Sequence, residues 1–147
     1  MTGSVAVLHF VFENGTFSLT IDKLYENKAA QAVGIGREFA GHVDVRSGCA
    51  EIREGKIEAC VSSLVRFRDA LDKCLRSGGG TAEYESYYDD QLRLRVALGE
   101  DGQGLVRGEY LLQPEGEDRL VITWKTDAAE LAGTLDVLNA GLDALNS

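Results

Sequence analysis

Histidine is the side chain most often used to move protons near neutral pH, and this chain has two, His9 and His42. His9 lies within an alternating apolar stretch and reads as a structural strand residue. His42 follows Gly41 at the start of a later stretch and is the better placed of the two to be exposed and used. Neither belongs to a Ser-His-Asp or Cys-His arrangement that spacing can mark. Metal chemistry has as little support. Cys49 and Cys60 stand apart without a second ligand pair, Cys74 falls in a helical apolar stripe, and no HExxH or EF-hand pattern occurs. Gly34-x-Gly36 and Gly102-x-Gly104 lack the strand-glycine-helix setting and the lysine of a phosphate loop. No catalytic residue, cofactor or metal is therefore expected, and the cysteines are expected as buried free thiols.

Residues 83–90 offer a different chemistry, because three tyrosines and four carboxylates follow the run Gly78-Gly79-Gly80. Tyrosine supplies contact area, and carboxylates orient and attract a basic partner. Glu83, Glu85, Tyr87, Asp89 and Asp90 are the candidate protein-contact residues, with Tyr84 and Tyr88 turned toward a core. Adjacent acids at a turn are also common as plain solvated residues. Asp89 and Asp90 would hold a cation only if Glu83 or Glu85 came within reach. With 15 basic and 24 acidic residues the formal charge is −9, a field that repels phosphate backbones and anionic lipid. No compensating basic patch is visible, so neither nucleic acid nor a membrane surface is expected as a partner.

The elements that must position these residues follow from periodicity. Residues 5–12 and 16–21 alternate as two strands around Glu13-Asn14-Gly15, a composition suited to a primed hairpin turn. Residues 27–39 read as a connection, interrupted by Gly34 and Gly36. Residues 42–46 form a strand, 50–52 a short one, and Glu54-Gly55-Lys56 a turn. A helix is expected from Ser62 or Ser63 to Arg76, with a serine cap, a stripe of Leu64, Phe67, Leu71, Cys74 and Leu75, and a stop at the glycine run. Four more strands follow, at about 81–88, 91–98, 104–113 and 119–125, with Leu92, Leu94, Val96, Leu98 and Trp124 inward. Asp127 and Glu130 open a final helix whose seam is Leu131, Leu135, Leu138, Leu142 and Leu145. The fold expected is α+β: an antiparallel sheet of six to eight strands, in hairpins and a meander, covered by two main helices in the order strands, helix, strands, helix. At 147 residues a single compact domain is expected over 1–147, with no internal repeat.

The stretch Ser62-Ser63-Leu64-Val65-Arg66-Phe67, the strands around 92–98 and 108–112, and Trp124-Lys125-Thr126-Asp127 before a leucine-rich helix resemble small bacterial immunity proteins of the WapI type. The resemblance runs over about 17–142 and rests on core positions. It implies a domain that blocks a cognate toxin, often a nuclease with a basic surface, and it carries no site residue across.

Three readings result. The first is a non-catalytic protein-binding domain that occludes a basic partner, a toxin if the resemblance holds. The second is a small-ligand-binding protein or enzyme with a pocket between sheet and helices, using His42 or the carboxylates. The third is a homo-oligomer that self-associates through an exposed strand or the helix at 131–145. The N-terminal stretch lacks a positively charged leader pattern and no apolar run approaches membrane length, so a soluble cytoplasmic product is expected.

Overall fold

In a computed structural model, residues 3–26, 37–48, 50–85, 91–113 and 116–146 are described. Eight strands and two helices appear in the order β1 Val5–Phe12, β2 Gly15–Tyr25, β3 Glu38–Ser47, β4 Ala50–Cys60, α1 Val61–Ser77, β5 Gly80–Glu85, β6 Leu92–Leu98, β7 Gln103–Leu111, β8 Arg119–Asp127 and α2 Ala128–Leu145. The α+β class and the order of strands and helices are as the periodicity indicates. The strands form two separate antiparallel sheets, β1-β2-β3-β4 and β5-β6-β7-β8, each a simple meander. Among the described residues, four strands and then a helix thus occur twice, an architectural repeat that residue identity does not reveal.

Each helix packs against the opening strand of the other half. Beyond the Gly78 turn α1 lies against β5, and α2 returns to β1. Thr134 Oγ1 of α2 donates to the His9 carbonyl at 3.1 Å. Gly141 brings the helix so close that a Cβ there would stand 2.7 Å from the Ala6 carbonyl oxygen. The two sheets share one core. Phe12 stacks on Trp124 with ring centroids 4.7 Å apart, and Phe67 of α1 touches both Phe10 and Tyr84. A second tie lies at β4, whose Lys56 carbonyl accepts from Tyr110 Oη at 2.6 Å and Gln91 Nε2 at 2.8 Å.

Several local expectations are corrected. Glu13 and Asn14 join β1 to β2 without positive φ, so the turn is not of the primed type. Gly15 is needed for space instead: a Cβ would lie 2.1 Å from the Arg46 carbonyl oxygen and 2.9 Å from Trp124 Nε1. Glu54-Gly55-Lys56 is not a turn. It lies inside the single strand β4, where Glu54 at φ 51° forms a bulge and its N–H donates to Asp44 Oδ1 at 3.0 Å. β3 begins at Glu38, well before His42. The cap of α1 is Cys60 with no side-chain hydrogen bond, and Ser63 is buried in the first turn. At the other end Gly78 takes the left-handed cap angle, as expected of the glycine run. Asp127 caps α2 by accepting from the Glu130 N–H at 2.8 Å. Cys60 and Cys74 are buried and are in no disulfide. Cys49, most of the connection at 27–39, and the tips at 86–90 and 114–115 lie outside the described residues.

Candidate functional site

Each meander buries one face and leaves the other to solvent, so the alternation along every strand decides which side chains can meet a partner. On the second sheet Ala82, Tyr84, Leu92, Leu94, Val96, Val106, Tyr110 and Trp124 point in. Glu83 and Glu85 point out from β5 and are exposed, as their parity indicates. Tyr87, Asp89 and Asp90, the rest of the expected contact tract, lie outside the described residues.

The register places these two glutamates beside arginine. Across the sheet one row reads Glu85, Arg93, Glu109, Val121, and the next reads Glu83, Arg95, Arg107, Thr123. Glu83 is thus no lone acid: Arg95 Nε lies 3.6 Å from its carboxylate. Arg107 reaches Glu109 at 3.5 Å along its own strand. Arg95 and Arg107 stand directly opposite each other, and like charges in that position oppose sheet pairing by a few tenths of a kcal/mol or more. Leu105 and Val121 add apolar area to the same face, at 48% and 46% exposure.

Charge is distributed unevenly over the two halves. Residues 1–77 hold ten acidic and ten basic side chains, whereas 78–147 hold fourteen and five, so the whole formal charge of −9 belongs to the second half. All five bases of that half are on strands of the second sheet. Of its acids, Glu83, Glu85 and Glu109 stand among the arginines on the same face, while others lie in the strand connections, as at Glu100 and Asp101 or Glu117 and Asp118, and on α2 at Glu130, Asp136 and Asp143. The result is a face on which Arg93, Arg95 and Arg107 alternate with Glu83, Glu85 and Glu109, with further acids in the connections at its ends. No run of basic residues announces it, because Arg93 and Arg95 alternate with core residues and Arg107 comes from another strand. The inward reading of Leu92, Leu94 and Val96 already implied that the two arginines between them face outward.

The first sheet brings together the two histidines. On its outer face His9 Nδ1 lies 2.9 Å from Ser18 Oγ, and His42 Nδ1 lies 2.8 Å from Asp22 Oδ2. Asp44 stands 3.5 Å from His42 Nε2. The hydrogen bond to Asp22 raises the His42 pKa, helped by the charges of Asp22, Asp44 and Glu54 and opposed by partial burial. The His42 hydrogen bond in turn holds the Asp22 carboxyl below the usual range, with a contribution from Ser4 Oγ at 2.7 Å. This is a hydrogen-bonded acid-base pair on a partly exposed strand surface, with the Ser4 hydroxyl donating to the other Asp22 oxygen. Among the described residues no group of three or more His, Cys, Asp or Glu side chains could hold a metal.

Between the sheets the space bounded by Phe17, Val45, Leu92, Tyr110, Ile122 and Trp124 amounts to about 10 Å³, at the limit for one water molecule. Burial raises the Tyr110 pKa, consistent with its phenol standing inside this joint and donating to Lys56. No helix among the described residues is long and apolar enough to cross a membrane. The chain matches no protein-family model and no curated protein.

Proposed function

We propose that this chain is a non-catalytic protein-binding domain, of the kind in which an immunity protein occludes a toxin, and that the outer face of β5–β8 is its contact surface. The observation that carries this reading is the set of cross-strand arginines and glutamates beside exposed Leu105 and Val121 on that outer face. Leu105 and Val121 supply area that gains from burial, while Arg95 and Arg107 supply fixed donors for a carboxylate or carbonyl on the partner. The glutamates on the face and the acids in the connections at its ends favour a partner that is basic overall and speed its approach. A ligand pocket between the sheets is less well supported, since the space at Trp124 is filled, and the concavity of about 260 Å³ at Glu83, Glu85, Arg93 and Arg95 opens on the same outer face.

The test is affinity capture from the native cell with the wild-type chain and with Glu83→Lys/Glu85→Lys as baits, at low and high salt. The expected result is a basic protein retained by the wild type, released by salt and retained at least tenfold less by the double variant. Co-expression of that protein should be harmful alone and harmless with the wild-type chain. Equal retention by both baits would remove Glu83 and Glu85 from the interface.

A further inference from the structure

The edge of a sheet is a row of unpaired N–H and C=O groups able to accept another strand, and folded proteins usually shield it. The two sheets have four outer strands, β1, β4, β5 and β8. Three of them are attended to. α2 lies along β1 and bonds to its His9 carbonyl, and α1 packs against β5. β4 carries the Glu54 bulge and is tied to the second sheet through Lys56.

β8 is different. It faces β7 through nine consecutive pairs with no bulge. Two hydrogen bonds at its ends, Leu112 N–H to the Asp118 carbonyl and Ala128 N–H to the Gly102 carbonyl, show that the even-numbered residues bond to β7. The backbone groups of Arg119, Val121, Thr123, Lys125 and Asp127 therefore point away from the sheet. Those of Val121, Thr123 and Lys125 have no hydrogen-bond partner among the described residues. The strand is rich in β-branched residues, contains no proline, and its side chains Val121 and Thr123 are exposed.

We infer that β8 is a dimerisation strand, pairing antiparallel with β8 of a second copy about a two-fold axis at Thr123 to make one continuous eight-stranded sheet. The charges select both the occupant and the register. With Thr123 opposite Thr123, Arg119 of each copy stands opposite Asp127 of the other, and Val121 stands opposite Lys125. A slip of two residues one way sets Arg119 against Lys125 of the other copy twice over. A slip the other way leaves Arg119 with no residue opposite. Lys125 and Arg119 would ordinarily deter edge pairing, but in the central register one gains a carboxylate and the other extends into solvent past a valine. Pairing also lengthens the face that holds Leu105 and Val121, because the outer surfaces of both copies become continuous.

The experiment is light scattering over a concentration series, combined with cysteine trapping in a Cys49→Ser background. The wild-type chain should show twice the 15.9 kDa chain mass at high concentration. Thr123→Pro, which removes an outward N–H and no ladder bond, should be monomeric with unchanged circular dichroism. Under mild oxidation Thr123→Cys should form a disulfide-linked dimer, since the two residues would be about 5.5 Å apart at Cα. Val121→Cys should not, because its own copy would lie four residues along the strand, about 13 Å away. The inference is overturned by a wild-type monomer at every concentration, by a Thr123→Pro dimer, or by equal trapping at 121 and 123. A wild-type monomer that takes up an extended peptide at β8 would assign the edge to a different partner.

Discussion

The two outer faces of the molecule are built from the same architecture and finished in opposite ways. On the first sheet polar side chains satisfy one another: His9 with Ser18, His42 with Asp22, and Asp44 with the Glu54 N–H, all at 3.0 Å or less. On the second sheet Arg95–Glu83 and Arg107–Glu109 lie 3.6 and 3.5 Å apart, two arginines stand opposite each other, and Leu105 and Val121 are both exposed, where the first sheet exposes Val11 alone among its large apolar residues described. A face whose polar groups have short internal partners gains little from a visitor. A face where like charges stand opposite each other beside exposed apolar side chains gains more, which is why the proposed binding surface is placed on the second sheet.

Both faces depend on the joint beneath them, and the largest expected effect comes from breaking it. Trp124→Ala removes the stack on Phe12 and the edge contact with Phe17, and should cost about 3–5 kcal/mol. Urea unfolding followed by circular dichroism and by tyrosine fluorescence should still give one coincident transition at lower denaturant. Two separate transitions would mean that the sheets are independent units and that the faces cannot be compared on one scaffold.

A smaller effect distinguishes the first face by pH. His42 has a raised folded pKa, so its contribution to stability is complete below its unfolded value near 6.5 and is lost as pH rises through the folded value. Asp22 has a lowered folded pKa, so its contribution is complete above the unfolded value near 3.8 and is lost as pH falls through the folded one. The pair therefore contributes most between about pH 4 and 6.5. Partial exposure limits it to less than about 1 kcal/mol. The melting temperature of the wild type should fall more steeply than that of Asp22→Asn between pH 6 and 8.5. Parallel curves would show that the pair does not stabilise the first face.

The smallest expected effect has the opposite sign. Arg107→Thr relieves the Arg95 repulsion and should stabilise the fold by a few tenths of a kcal/mol in chemical denaturation. The same variant should lose affinity for the captured partner. A destabilised variant would mean that the arginine pair is held by its glutamates and is not under strain, which would weaken the contrast between the faces.

Much of this architecture was legible in the chain. Alternation identified Glu83 and Glu85 as outward residues and Tyr84 and Trp124 as core. Helical stripes identified both helices, and Asp127 its cap. Of the expected contact residues, Glu83 and Glu85 face outward, and Tyr87, Asp89 and Asp90 lie outside the described residues. That Glu83, Arg95, Arg107 and Thr123 form one row is set only by register between positions far apart in the chain. Linear order contains each strand's inside and outside but not which strand it lies beside.

What the amino-acid sequence by itself determined is therefore local: which segments are strands or helices, which face of each is apolar, where the glycine run ends a helix, and a net charge of −9. Those properties depend on neighbours within a few residues, or on composition alone. Tertiary structure alone decided that the described strands divide into two sheets, that each helix crosses to the other half, that Arg93, Arg95 and Arg107 share a face with three glutamates, and that the outward groups of Val121, Thr123 and Lys125 on β8 have no partner among the described residues. These outcomes depend on which apolar faces meet, and the energy of that choice comes from contacts between residues far apart in the chain.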